Sequence, residues 1–278
     1  MIYYLGTYLH DTVEALSFLR LLDSISFRAI SGAISSLMIT ILFGGRVILY
    51  YYGRGHRDIP RDYLNFQAAG NQAKTYGGVL VVAVILISVA LWCKLHSVFV
   101  LLCLAAIIWF AALGWIDDFL KVRHHSSDRG LSESAKLVLQ ISYGTAFGIV
   151  YVTEALSPLP PGLATQLYLP FFKNPVIDLS WAYVPFIVFT ITAISNSVNI
   201  ADGIDGLAIV PTSFVVAVFG VFAYVSSHAK ISTFLIFPFM PGVGEIAVIC
   251  SIVFGACLGF LWFNSYPANV IMGDTGSM

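Results

Sequence analysis

The chain has 278 residues, of which 58% are hydrophobic and 10% charged, and fourteen Lys and Arg against fifteen Asp and Glu give a net charge of -1. A soluble domain carries roughly 25% charged residues, so this composition excludes an ordinary aqueous protein, a disordered chain and a nucleic-acid binder working through a basic surface. What remains is a membrane protein whose electrostatic function lies in where its few charges sit.

In chain order, Met1 to Arg28 mixes Asp11, Glu14, Arg20, Asp23 and Arg28 with apolar residues. It lacks a basic start followed by a clean apolar core, so it reads as a short interfacial helix and not as a cleaved signal peptide. Apolar stretches of about 20 residues, the length that crosses the hydrocarbon core, number roughly seven. They lie near Ala29 to Tyr51, Gly77 to Cys93, Ser97 to Ile116, Lys136 to Leu156, Trp181 to Val198, Leu207 to Ser227 and Glu245 to Phe263. Backbone in lipid must bond within its own segment, and these runs are unbroken instead of alternating, so the spans are helices. The fold class is all-α, a polytopic membrane helical bundle, with residues 1–28 as an interfacial segment and 29–278 as the transmembrane domain. Cys93, Cys103, Cys250 and Cys257 all fall in apolar runs without paired spacing and read as packing residues.

An odd number of spans puts the termini on opposite sides. One set of loops holds Arg54, Arg57, Arg61, Lys74, Lys121, Arg123, Arg129 and Lys136; the other holds Lys94, Lys173 and Lys230, with Arg20 and Arg28 in the N-terminal segment. The positive-inside rule makes the first set cytoplasmic and the N-terminus external. By the same parity Asp117, Asp118, Asp202, Asp205 and Asp274 all fall on the cytoplasmic side. The external loops, "SPLPPG" and "FPFMPG", read as connectors lying against the bilayer.

Three stretches can carry chemistry there. In "GWIDDFLKVR", neighbours on a helix point roughly 100° apart, so Asp117 and Asp118 are not expected to face one ion together and different jobs suit them better. Lys121 lies on the same face, placed to meet a phosphate or to pair with a carboxylate, and its presence excludes a "DDxxD" diphosphate motif. The plainer reading of this stretch alone is a solvated helix end with surface ion pairs. In "NSVNIADGIDGLA", Asn196 and Asn199 lie in or beside an apolar span, where an unpaired amide costs several kcal/mol, and two Asp-Gly pairs then turn the chain. If the segment stays helical, Asn199, Asp202 and Asp205 share a broad face at spacing three; if it turns at Gly203, backbone carbonyls also become available, and either arrangement suits oxygen ligation of a hard cation. In "WFNSYPANVIMGDTGSM", Pro267 stops a helix and "GDTGS" looks like the entrance to another, capped by Asp274 or Thr275.

A fourth stretch, "RGHRDIPRDYLNFQAAGNQAKTYGG", brings Lys74, Thr75 and the Gly77-Gly78 pair up to the second span. A basic loop beside acidic helix ends can hold the phosphates or sugar of a nucleotide, although for Arg54, Arg57 and Arg61 a topology signal is the better reading. His124 and His125 read as solvated, having no carboxylate or cysteine at ligand spacing.

"DDFLKVR", "GLS" with Lys136, "NSVNIADGIDGLAIVPT" and "GFLWFNSYPANVIMGDTGSM", in this order and separated by spans, resemble the polyprenyl-phosphate N-acetylhexosamine-1-phosphate transferases. Among them they are most similar to the phospho-N-acetylmuramoyl-pentapeptide transferases. The resemblance runs from about Arg28 to Met278. It implies Mg2+-dependent transfer of phospho-N-acetylmuramoyl-pentapeptide from UDP-N-acetylmuramoyl-pentapeptide to undecaprenyl phosphate, releasing UMP, in peptidoglycan synthesis at the bacterial cytoplasmic membrane; it leaves room for a homodimer and implies no nucleic acid. It implies site roles for Asp117, Asp118, Asn199, Asp202 and Asp274.

Two departures stand out. The family's Thr-Pro-Thr-Met-Gly-Gly run is here "AKTYGG", so only Thr75, Gly77 and Gly78 match. Family members also continue for about three further spans and a His-rich loop, so a chain stopping at Met278 is expected to have an exposed seam and to be inactive alone.

The implied reaction joins two anionic phosphates, one in lipid and one in water, and magnesium with one or two carboxylates neutralises such charge. Asp274 and Asp202 are the expected metal ligands, Asp117 or Asp118 the base, and Asp274 with this pair the catalytic acids. Lys121, Asn196, Asn199, Asp202, Asp205 and Thr75 are expected to bind or position substrate. The alternatives are a related transferase using UDP-N-acetylglucosamine and an ion-coupled transporter, which expects acids near the membrane midplane and repeated halves.

Overall fold

A computed structural model describes residues 1–12, 14–53, 77–124, 130–169, 172, 174–202, 205–266 and 268–278. The N-terminal segment forms two pieces where the sequence suggests one short helix: α1 (Ile2–Thr12) and a 3-10 helix (Glu14–Asp23). There follow α2 (Ile25–Gly53), α3 (Gly77–Trp92), α4 (Val98–Arg123), α5 (Glu133–Val152), the two-residue strands β1 (Gln166–Leu167) and β2 (Ile177–Asp178), α6 (Tyr183–Ala201), α7 (Ile209–Ser227), α8 (Ala229–Leu235), α9 (Gly244–Asn264) and α10 (Asp274–Ser277). The protein is an all-α polytopic membrane bundle.

Six of the described helices are long and apolar enough to cross a bilayer, namely α2, α4, α5, α6, α7 and α9. The remaining predicted span is α3, which at 16 residues is shorter. It is apolar on every side, as a helix enclosed by others must be: Leu80, Val81, Val84, Ile85 and Val89 join Val248, Ile252 and Phe260 of α9 in the main core. Helix α9 packs against α2, α7 and α3. Across the α2–α9 seam the Ser36 hydroxyl donates to the Ile252 carbonyl at 2.8 Å, an interhelical bond of the kind that holds membrane helices together where apolar burial gives little preference.

The connector between α5 and α6 holds a feature absent from the sequence reading, the antiparallel pairing of Gln166 with Asp178 and Leu167 with Ile177. Strands this short leave almost no alternating pattern to detect. The four cysteines are free thiols, Cys93 and Cys257 buried and the other two half-buried, as their apolar settings predict.

The end of the bundle away from the acidic motifs is closed by a buried ion pair. Arg28, which the sequence assigns to the interfacial segment, lies in the first turn of α2 and is fully buried. Its guanidinium meets Glu245 of α9 through two parallel bonds of 2.7 and 2.6 Å. It also donates to the Trp92 carbonyl at the end of α3, and Glu245 accepts the Lys94 N–H. Two charges thus tie α2, α3 and α9 at one level. Removing one partner of such a pair strands the other charge, at a cost of about 3–5 kcal/mol, whereas replacing both with apolar residues is often neutral or better. Glu245→Leu is therefore expected to lower the unfolding midpoint in detergent by an amount of that order. Combining it with Arg28→Met is expected to recover most of the loss.

Candidate active site

Helix α4 continues to Arg123, so Asp117 and Asp118 sit inside its last turns, upstream of its end. Both are buried, to 0% and 1% exposure, despite the sequence reading of a solvated helix end. They are buried because α10 docks on this turn. The Asp118 carboxylate accepts the Asp274 N–H at 3.1 Å, the Thr275 N–H at 2.9 Å and the Thr275 hydroxyl at 2.6 Å. An acid of α4 thereby caps the first turn of α10, satisfying N–H groups that have no partner within a helix.

Two small residues admit this docking. A Cβ on Gly114, one turn before Asp118, would overlap the Asp274 carbonyl, and one on Gly78 would overlap the Gly276 backbone. The Gly77 and Gly78 N–H groups also donate to the carbonyls of Ile271 (3.0 Å) and Met272 (2.7 Å). The Gly77-Gly78 pair of the sequence motif thus aligns the segment entering α10.

Asp117 takes the other side of the helix turn. One oxygen accepts the Leu131 N–H at 2.7 Å; the other faces Lys121 at 2.6 Å and Lys136, from the first turn of α5, at 2.9 Å. The same two ammonium groups reach Asp274 Oδ2 at 3.1 and 2.8 Å. Two lysines and two aspartates thus form a closed ring. With Asp118 included, the three acids each offer an oxygen within 4.8 Å of the others. The two adjacent aspartates point to different sides of the turn and do different jobs, as the helical step of about 100° leads one to expect, while Asp274, arriving on another helix, brings an oxygen close to both.

Burial would raise the Asp274 carboxyl, but its bond with Asp117 and the charges of Lys121 and Lys136 outweigh this and hold it well below the ordinary carboxylate range. Asp274 is therefore anionic at neutral pH. With every group ionised, three carboxylates against two ammonium groups leave one negative charge in excess. The donors are hard oxygens, which fit a magnesium-like cation.

The remaining predicted residues take other places. Asn199 donates to the Ser277 hydroxyl of α10 at 3.1 Å. Asp205 accepts the Ala268 N–H, and Gly206 donates to Asn264 Oδ1, so the loop after α6 is tied to the loop after α9. The Asn196 amide is engaged by Gln140 of α5. Asp202, expected to share a metal with Asp274, is not among the three converging acids; α6 ends at Ala201, and Asp202 caps it through its own N–H to the Val198 and Asn199 carbonyls. Thr75 lies outside the described residues. His124 is exposed at the end of α4, as expected.

Sequence reasoning missed the roles of Lys136 and Thr275 in this cluster. Lys136 was absorbed into the count of cytoplasmic charges, and its signal was its place one turn after the Ser132 cap, at a helix start, where a cation is unfavourable without an acid beside it.

The model of glycosyl transferase family 4 matches residues 98–278. Among curated relatives, proteins named phospho-N-acetylmuramoyl-pentapeptide-transferase from Chlorobium phaeobacteroides and Pelodictyon phaeoclathratiforme are each 40% identical over 278 residues, covering the whole chain and 74% of the relative. One of the same name from Desulfovibrio desulfuricans is 37% identical over 266 residues, 94% of the chain and 71% of the relative.

The Thr275 hydroxyl makes a hydrogen bond to a charged group, worth about 1.5–3 kcal/mol. Thr275→Val is expected to lower the thermal midpoint in detergent and to speed proteolysis near the C-terminal end of α9, while Thr275→Ser stays close to wild type.

Proposed function

We propose that this chain, which belongs to glycosyl transferase family 4, transfers phospho-N-acetylmuramoyl-pentapeptide from its UDP carrier to undecaprenyl phosphate at the cytoplasmic face of the bacterial inner membrane. In the net reaction a lipid-phosphate oxygen becomes bonded to the sugar-bearing phosphorus, the bond from that phosphorus to the bridging oxygen breaks, and UMP leaves. The observation that carries this reading is the buried ring of Asp117, Asp274, Lys121 and Lys136, with Asp118 behind it, at one end of a membrane bundle. Relatives of that name at 40% identity support the same reaction class.

The chain's own groups divide the work. Asp118 has both oxygens committed to α10, so it positions Asp274. Asp117 is then the better of the two for taking the proton of the lipid phosphate, since its partners are mobile cations that can change allegiance. Lys121 and Lys136 hold the acids together without substrate. Phosphate oxygens compete for the same ammonium groups, so substrate entry draws the lysines toward the diphosphate and frees carboxylate oxygens at the same moment. Asp274, with Asp117, supplies oxygens for Mg2+, which when bound neutralises charge on the phosphates. Asn199, Asp202 and Asp205 border this end of α6 and position the nucleotide sugar.

A transporter is the less economical reading. It calls for acids at the midplane of the spans, whereas Asp117 and Asp118 lie in the last turns of α4 and Lys136 in the first turn of α5.

The full gene product, assayed by mass spectrometry for UMP and the lipid-linked sugar, is expected to lose transfer with a chelator and regain it with Mg2+. Asp274→Asn and Asp117→Asn are each expected to lower kcat by about 10²-fold or more, the scale of losing a group that stabilises or moves transition-state charge. Full activity in either variant, or ion uptake by proteoliposomes without transfer, overturns the reading.

A further inference from the structure

We propose that Gln140 is a positioning residue, fixing the register of α6 against α5 so that Asn199 reaches α10; this rests on the transferase reading above. Gln140 is fully buried midway along a membrane helix. Its amide is clasped in both directions: Asn196 Nδ2 donates to Gln140 Oε1 at 2.8 Å, and Gln140 Nε2 reaches Ser195 Oγ at 3.3 Å and Asn196 Oδ1 at 3.4 Å. Asn196 also donates back to the Thr192 carbonyl of its own helix, which fixes its rotamer.

Holding the two helices together does not require this clasp. Farther along the seam Gly144 and Gly148 let Val188 and Val184 come so close that an added Cβ would crowd them at 3.1 Å, the small-residue packing that joins membrane helices by itself. An apolar residue at 140 would fill the space without the cost of desolvating an amide. A smooth apolar seam, however, does not distinguish one axial or rotational setting from the next. A single polar pair does, and setting register is the best-attested use of buried polar groups.

The clasp lies within a turn of the site on both helices. Lys136, four residues before Gln140 on the same face of α5, carries the bonds to Asp117 and Asp274. Asn199, three residues beyond Asn196, carries the 3.1 Å bond to Ser277. A slip of one residue displaces a helix by about 1.5 Å along its axis and turns it by about 100°, enough to break that bond. The polar pair therefore transmits to Asn199 a position measured from the helix that holds Lys136.

The test uses the full gene product. Gln140→Leu is expected to lower kcat by between about 10- and 100-fold, as for a displacement near 1 Å at a reacting centre. KM is expected to stay within about twofold and the thermal midpoint not to fall. The exchanged pair Gln140→Asn with Asn196→Gln, which restores an amide on each helix, is expected to recover most of kcat. Independently of substrate, Asn199→Cys with Ser277→Cys is expected to cross-link efficiently with a short bis-thiol reagent, and adding Gln140→Leu to cut the yield severalfold. Should Gln140→Leu fail to accumulate in membranes, Gln140→Met takes its place in each arm. Unchanged kcat, an unchanged cross-link, or no recovery by the exchanged pair overturns the proposal. A cross-link that falls as expected, beside a wild-type protein that transfers nothing, upholds the register and overturns the transferase reading alone.

Discussion

A carboxylate removed from water at a membrane surface has to find its partners inside the protein, and Asp118 finds three of them on one short segment. Its bonds to the N–H groups of Asp274 and Thr275 and to the Thr275 hydroxyl place α10 against α4. Everything else in the site follows from that contact. Asp274 enters the site because α10 is docked; the lysines bridge because Asp274 then lies opposite Asp117; Gly114 and Gly78 are glycine because the docked backbone leaves no room for a side chain. The capping acid costs little flexibility, since it is carried on a long rigid helix. A site built this way is more precise than one held by loops alone.

The two ends of the bundle spend their buried charges differently. At one end Arg28 and Glu245 form a bidentate pair between α2 and α9, held further by the Trp92 carbonyl and the Lys94 N–H. At the other end the pairing is deliberately incomplete in its bookkeeping: three carboxylates face two ammonium groups, and each lysine is shared between two acids. A shared cation is easier to draw away than one held by two parallel bonds. The first arrangement suits a fixed joint, and the second suits a site whose charges must redistribute when phosphates arrive.

Much of this was legible before any coordinates. Length and hydropathy located every long helix among the described residues, because a membrane span must be continuous and apolar and leaves an unmistakable run. The acids Asp117, Asp118 and Asp274 stood out as charges at the edges of such runs. What the sequence did not reveal was partnership. Nothing in "IDDF" says that Asp118 looks toward Thr275 and Asp117 toward Lys136, since those partners lie more than a dozen residues away and are chosen by helix packing. The same gap explains Asp202: a motif rich in Asn, Asp and Gly announces a turn at a membrane surface, yet only packing decides whether its acids join the cluster of Asp117, Asp118 and Asp274. Arg28 was misplaced because an arginine near a helix start reads as an interfacial charge until a Glu more than two hundred residues later claims it.

The lysine ring also bears on why the acids can be buried at all. Three ionised carboxylates within 4.8 Å of one another, without cations, would repel so strongly that at least one would take up a proton. Lys121 and Lys136 oppose this and help to keep Asp274 anionic. They act as internal counter-ions, and in the proposed reaction they hold the acids in the arrangement that a divalent ion and a diphosphate would need. Because these cations are covalently attached, the proposed reaction would not need the site to be rebuilt when substrate binds, and little reorganisation would separate the resting arrangement from the working one.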